Sequence, residues 1–271
     1  MTNVKTKKPT RILIVNKYFY NIGGIESVVR DLATILDENL EIKILVLDKK
    51  AGVEKVGSSI VWKIKTQCVL FRMPFSFVYP FVFLREVQKA DIVHFHSPFP
   101  LAEWTFVVFN WFFRYKAKVI VTYHSAVVRQ KIFKRIHNWF LQRLFQHSSY
   151  VVVTSEPMAQ NYPGLARVKA KIKVIPSGVQ EPDVAGWKRD YNHFTHCLFV
   201  GRLVPYKGID YLFQALSGTD IPLTIVGSGE METYLRHRAQ ELGVEDRLSW
   251  KGSLKELSTA YKEASVFVLP S

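Results

Sequence analysis

Between Trp104 and Ser155 the sequence contains no aspartate and no glutamate. Such a stretch cannot neutralise its own cations, and Arg114, Lys116, Lys118, Arg129, Lys131, Lys134, Arg135 and Arg143 accumulate within it. Over the whole chain 37 lysines and arginines stand against 23 acidic residues, a formal net charge of +14, which points to anionic partners such as phosphates or acidic lipid headgroups. Cysteine is nearly absent. Cys68 and Cys197 lie far apart in apolar, strand-like runs, with neither zinc-ligand spacing nor a disulfide framework, so both read as core thiols in a reducing cytoplasm. There is no Asp-x-Asp pair of the kind that holds a divalent ion on phosphates, and no metal is expected. No apolar run reaches the roughly 20 residues of a membrane-spanning helix; the stretch from Phe106 to Phe113 is bounded by Glu103 and Arg114. Met1 to Thr10 lacks the apolar segment of a signal peptide and reads as a loose, basic N-terminus. The expectation is a cytoplasmic chain, peripheral at the inner face of the cell membrane.

The 271 residues are 48% hydrophobic, enough for one complete domain and part of another. Short apolar runs alternate with helical spacings along most of the chain. Arg11-Ile12-Leu13-Ile14-Val15 reads as a buried strand leading to Gly23-Gly24-Ile25-Glu26, after which Val28, Val29, Leu32, Ala33 and Leu36 keep helical spacing. Ala90 to Pro98 and Val119 to Ser125 each read as a strand ending in histidine, the first carrying His94 and His96 and the second His124. The runs Val151 to Glu156 and Ile172 to Val179 continue the pattern. Gln180 to His193, interrupted by Pro182 and Gly186, marks a domain boundary. Beyond it come the strand Cys197 to Val200, the loop Gly201 to Gly208, and the strand Pro222 to Val226 running into Gly227-Ser228-Gly229-Glu230. Arg247 to Gly252, a helical Leu254 to Ala264, and the strand-like Val266 to Leu269 follow. Repeated β-α-β units imply an α/β fold of two parallel-sheet, Rossmann-like domains facing a cleft, residues 1–180 and 194–271.

The loop Gly201-Arg202-Leu203-Val204-Pro205-Tyr206-Lys207-Gly208 carries the clearest chemistry. Between a strand and a helix it offers backbone N–H groups and a helix dipole to a phosphate, while Arg202 adds a planar fork and Lys207 a compact charge. A diphosphate is the guest this set fits. Strand-end histidines sit where open parallel sheets bind ligands, although such a residue is more often hydrogen-bonded structure, the reading favoured for His94 and His96.

Taken together, Gly-Arg-Leu-x-x-x-Lys-Gly, the Gly23-Gly24 loop, Thr122-Tyr123-His124-Ser125, Pro176-Ser177-Gly178-Val179 and Val226-Gly227-Ser228-Gly229 resemble the family-4 glycosyltransferases. Ser177 replaces that family's usual asparagine. The resemblance implies a GT-B fold and retaining transfer of a sugar from a nucleotide-diphosphate donor, without a further cofactor, to a polysaccharide or lipid-linked acceptor. It implies that Arg202 and Lys207 hold the diphosphate and that Gly23 and Gly24 touch the donor phosphate and acceptor region. It further implies that His124 faces the sugar near its reacting carbon, that Gly227 forms a second donor-side turn, and that the backbone of Trp250 to Gly252 holds the base. The family continues past Leu-Pro-Ser into a segment with paired glutamates that this sequence does not contain. The expectation is therefore a C-terminal domain incomplete as given, and little or no transfer by residues 1–271. A catalytically dead, membrane-associating binding protein and a GT-B sugar-nucleotide epimerase remain alternatives.

In the acid-free stretch, Ile132, Ile136, Trp139, Phe140 and Leu144 recur at helical spacing among basic residues. The stripe is expected to pack on the sheet, leaving a cationic rim for an anionic bilayer. Phe71 to Phe81 reads as a run of exposed aromatics with a basic flank. The charge would also suit a nucleic acid, but no recognised motif accompanies it and no such partner is expected.

Overall fold

A computed structural model describes residues 8–20, 23–35, 39–70, 73–125, 131–178, 187, 193–254 and 256–271, with the side chains of Ile35 and residues 131–134 excepted. The chain divides into two compact units, Met1–Val179 and Gln180–Ser271. Apart from Trp187 and His193, the boundary segment read from Gln180 to His193 lies outside the described residues.

In the first unit the chain runs through β1 (Thr10–Val15), α1 (Gly24–Ile35), β2 (Leu40–Asp48), β3 (Gly52–Val56), β4 (Ser59–Lys65), β5 (Cys68–Leu70) and β6 (Met73–Phe75). It continues through α2 (Tyr79–Val87), β7 (Ile92–Ser97), α3 (Pro100–Phe113), β8 (Lys118–Tyr123), α4 (Lys131–His147), β9 (Tyr150–Val153), α5 (Glu156–Asn161) and β10 (Ile172–Val174). Prolines in the first turns of α2, α3 and α5 fix φ where the missing N–H costs nothing. Among the described residues eight strands form one sheet, ordered β10-β9-β8-β7-β1-β2-β4-β3. Every pairing is parallel except that of β3 with β4.

Strand alternation divides the core. Leu13 and Val15 turn to one face, where Leu45, Phe95 and Val121 meet Phe83, Phe106 and Leu144 of α2, α3 and α4. Ile14 turns to the other with Ile42, Ile44 and Val46, against Val29 and Ala33 of α1.

Three sequence expectations are corrected here. On α4, Ile136 and Trp139 are 49% and 53% exposed, whereas His137, Leu141, Leu144 and Phe145 are buried; the side chain of Ile132 lies outside the described residues. The packed face thus includes a histidine, and reading only apolar residues rotated the helix by one position, about 100°. His137 is buried because its Nδ1 lies 3.4 Å from Oε2 of the equally buried Glu103 on α3. Of the aromatic run, Phe77 and Phe81 are exposed but Tyr79 is fully buried, packed on Phe83 and Phe99; Phe71 and Arg72 lie outside the described residues. Cys68 is exposed on the small β5–β6 hairpin, and only Cys197 is buried.

The second unit contains β11 (Cys197–Val200), α6 (Ile209–Leu216), β12 (Leu223–Val226), α7 (Glu232–Glu241), β13 (Leu248–Gly252), α8 (Ser258–Glu263) and β14 (Val266–Phe267). Its strands are parallel in the order β13-β12-β11-β14. Phe199 and Ile225 pack with Phe213 of α6 and Leu235 of α7; Leu198 and Val226 face Ala260 and Ala264.

One charged cluster ties α2 to the first sheet. Glu86, with a side chain 2% exposed, meets Lys43 of β2, Arg85 and Lys89, and Lys43 and Arg85 both sit on the Trp62 ring of β4. Burial pushes the Glu86 carboxyl up, but hydrogen bonds from Lys43 and Lys89 outweigh it and hold it below the ordinary value. A depressed carboxyl contributes stability above its unfolded value, near 4.5, which is lost as pH falls through the folded value. Glu86→Gln is expected to cost the first unit about 1.5–3 kcal/mol at pH 7, with a shallower loss of stability in acid. Urea titrations at pH 7 and pH 4 check both, and an unchanged midpoint at pH 7 would make the cluster ornamental.

Candidate functional site

The first sheet grows in two directions from β1: through β2, β4 and β3 on one side, and through β7, β8, β9 and β10 on the other. Parallel sheets bind ligands outside the carboxyl ends of their strands at such a reversal. A cavity of about 570 Å³ lies there, lined by Gly24, Ser27 and Asp31 of α1, His124 and Ser125 after β8, and Thr154 and Ser177 after β9 and β10. A side chain at Gly24 would project into open space, so glycine leaves the mouth of α1 uncovered. Gly23 does not line the cavity. Its carbonyl accepts from the Ser27 N–H at 3.0 Å, and a Cβ there would collide with the Glu26 carboxylate.

His124 is half-buried and anchored inward. Its backbone N–H donates to the Ser97 carbonyl at 3.0 Å, and its Nε2 lies 3.0 Å from Nδ1 of His96. His94 and His96, two residues apart on β7, share a face, with ring centroids 4.5 Å apart; Nε2 of His94 reaches Thr122 Oγ1 at 2.8 Å. His96 is 1% exposed. Burial pushes His124 down to about 4; burial and then the charge of His124 push His94 down to about 4; and burial, then the charges of His94 and His124, hold His96 well below its ordinary value. All three imidazoles are neutral at pH 7, so His124 offers the cavity a hydrogen bond and not a cation.

In the second unit the loops after β11, β12 and β13 hold one another. Gly201 N–H donates to Val226 O at 2.9 Å, Leu203 N–H to Ser228 O at 3.1 Å, and Gly227 N–H to Gly252 O at 2.7 Å. Gly227 has φ 142°, and a Cβ there would overlap the Gly201 carbonyl oxygen. Arg202 is exposed, its Nη2 donating to Tyr206 Oη at 2.9 Å. Lys207 ends a 3₁₀ turn, Pro205–Lys207, with its Nζ 3.5 Å from Ser271 Oγ and 5.7 Å from the Tyr206 ring centroid. Trp250 is committed to packing, edge-on to Phe213 and under Arg236, which leaves Lys251 and Gly252 as the exposed part of that stretch.

The structure thus gathers Arg202, Lys207, Gly227 and Gly252 at one edge of the second sheet, and Gly24 with His124 at one edge of the first. Sequence reasoning missed Ser27 and Asp31 as cavity residues. Their signal was the helical spacing Gly24, Ser27, Asp31, the face of α1 opposite the apolar stripe. It also missed that His96 touches His124.

Comparison with known proteins gives consistent matches in both units. The profile of Glycosyltransferase Family 4 matches residues 22–181, and that of Glycosyl transferases group 1 matches residues 190–271. The chain is 28% identical over 245 residues to the O-antigen chain mannosyltransferase C of Escherichia coli, covering 86% of this chain and 65% of that protein. It is 26% identical over 234 residues to the D-rhamnosyltransferase WbpZ of Pseudomonas aeruginosa, covering 82% and 60%. The chain therefore spans less than two thirds of the length of these relatives. Among solved structures, Anabaena HepE in complex with UDP and glucose superposes with a TM-score of 0.70 at 16% identity, over 97% of this chain and 74% of that one. WaaG, a glycosyltransferase involved in lipopolysaccharide biosynthesis, gives 0.63 at 14% identity over 96% and 75%. At such identities the likeness is one of fold, and the fold is the GT-B type.

Gly227→Ala is expected to destabilise the second unit by about 1–3 kcal/mol, the cost of a disfavoured backbone and a displaced carbonyl. Gly218→Ala, where a Cβ meets open space, should stay within about 0.5 kcal/mol of the parent. Equal melting temperatures for the two variants would show that the three loops are not sterically interlocked.

Proposed function

The chain belongs to glycosyltransferase family 4, and we propose that it acts in a retaining transfer of a sugar from a nucleoside-diphosphate donor to a saccharide or lipid-linked acceptor. The observation that carries this reading is the pair Arg202 and Lys207 on interlocked, glycine-bearing loops at the carboxyl edge of the second sheet. In the transfer, the bond between the anomeric carbon and the diphosphate oxygen breaks, and negative charge grows on the leaving group. Arg202 meets that charge with two parallel N–H donors and Lys207 with a point charge, and both gain most in the transition state. The acceptor hydroxyl bonds to the anomeric carbon on the face the diphosphate leaves and gives its proton to the departing diphosphate oxygen. His124 contacts the sugar by a neutral hydrogen bond, and Gly24 leaves the start of α1 open to the phosphate or acceptor. The scheme uses no metal ion.

We further propose that the reaction runs at the cytoplasmic face of a membrane, with the first unit against anionic lipid. No helix among the described residues is long and apolar enough to cross a bilayer. The last turn of α3 exposes Trp111, Phe112 and Phe113, by 82%, 71% and 56%. Trp139 of α4, also exposed, carries the Arg143 guanidinium 5.2 Å above its ring, and Trp111, Trp139 and Arg143 line one cavity of about 400 Å³. Aromatic side chains beside cations, with no carboxylate in the intervening sequence, favour an anionic interface.

Arg202→Ala should weaken binding of UDP or GDP by about 1.5–3 kcal/mol, a roughly tenfold to hundredfold rise in Kd, while Arg202→Lys should recover only part of it. Calorimetry decides this, and unchanged affinity in the alanine variant removes the diphosphate clamp. Binding to vesicles should increase with anionic lipid, decrease with salt, and lose about 1 kcal/mol for each of Arg135 and Arg143 changed to glutamine. Equal binding to neutral vesicles would refute the lipid surface.

A further inference from the structure

The contact between His96 and His124 joins two ring nitrogens, Nδ1 of the first and Nε2 of the second, 3.0 Å apart. Burial keeps both rings neutral, so each has one N–H and one lone pair, and a single proton lies between them. Two arrangements satisfy the contact. In the first, His124 donates from Nε2, and His96 must then carry its own proton on Nε2. That atom is buried and has no hydrogen-bond partner among the described residues, so the arrangement strands an N–H. In the second, His96 donates from Nδ1, and its buried Nε2 is left as a bare lone pair. Orphaned buried N–H groups are rarer in folded proteins than under-satisfied acceptors, which selects the second.

We infer that His96 donates from Nδ1 to Nε2 of His124 and so locks His124 in the tautomer protonated at Nδ1. The consequence is directional. With Nε2 occupied from below, Nδ1 is the nitrogen His124 has left, and it presents an N–H donor. A ligand meets His124 with an oxygen lone pair, such as a sugar hydroxyl or ring oxygen, and the residue does not accept a proton from the acceptor. His96 is then a positioning residue, acting on ligand through His124. It is held in turn by the His94 ring, which Thr122 fixes from the next strand. That the ligand oxygen belongs to a donor sugar rests on the function proposed above; the tautomer does not.

Long-range 1H–15N correlation spectra of the 271-residue chain, labelled at histidine nitrogen and assigned with His124→Gln, read the protonation site of each ring. At pH 7.5 His124 and His96 are expected to show protonated Nδ1 and bare Nε2. A proton on Nε2 of His124 overturns the inference. His96→Asn, whose amide retains an N–H donor, should preserve the His124 pattern, whereas His96→Phe should return His124 to a mixture containing the Nε2–H form. An unchanged pattern in His96→Phe would remove His96 as the determinant, and if that variant does not fold the parent spectrum still decides. Addition of UDP-glucose or GDP-mannose separates the two claims. A shift at His124 Nδ1 supports both. The expected tautomer with no shift at saturating nucleotide sugar upholds the inference and removes the sugar contact.

Discussion

Parallel pairing is the constraint on which the rest depends. A parallel strand cannot turn directly into its neighbour, so every connection crosses over and every strand in the run ends on the same edge. In the first unit this brings the ends of β1, β8, β9 and β10 to one rim, although their last residues span Val15 to Val174. In the second it brings the exits of β11, β12 and β13 close enough to exchange backbone hydrogen bonds. Neither rim is built from one contiguous segment. Each is assembled because the chain returns to β1 or β11 before extending the sheet the other way, leaving a crevice at the reversal.

Buried polar groups then fix the geometry that hydrophobic packing leaves loose. Glu103 is fully buried at the first turn of α3, where it accepts from Ser97 Oγ and from the Phe99 N–H at 2.8 Å and faces His137 of α4. It thereby ties the end of β7 to two helices. Ser97 is also the residue whose carbonyl receives the His124 N–H. The seat of His124 is thus continuous with a buried acid more than twenty positions earlier in sequence, and a group withheld from water must find such partners to remain in place.

The fold was legible because the sequence states it repeatedly. Apolar runs such as Ile12 to Val15 and Phe199 to Val200 alternate with helical spacings, and glycine stands at the exits. The GT-B type and the family followed from those exits, since Gly227 and Gly229 are constrained by neighbouring backbone that has to pass close by. What was not legible was facing. The rotation of α4 turned on His137, a polar residue buried through a partner on another helix. The exposure of Cys68 turned on a short, separate two-stranded hairpin that local hydropathy does not distinguish from a core strand. Ser27 and Asp31 look like an ordinary solvated helix face until the cavity is seen beside them. His96 and His124 are 28 residues apart, and only the register of β7 on β8, which sets His96 against Thr122, brings their rings together.

Charge is distributed over these sites in a way that suits the proposed transfer. In that proposal Arg202 and Lys207 would meet the departing diphosphate, while His124, proposed to contact the sugar, is kept neutral by burial. As the glycosidic bond stretches, positive charge develops at the anomeric carbon and negative charge on the departing oxygen. An imidazolium beside the sugar would oppose the first of these, and a neutral N–H does not. On that proposal, the same desolvation that makes the His94, His96 and His124 cluster costly to charge would remove a repulsive term from the transition state.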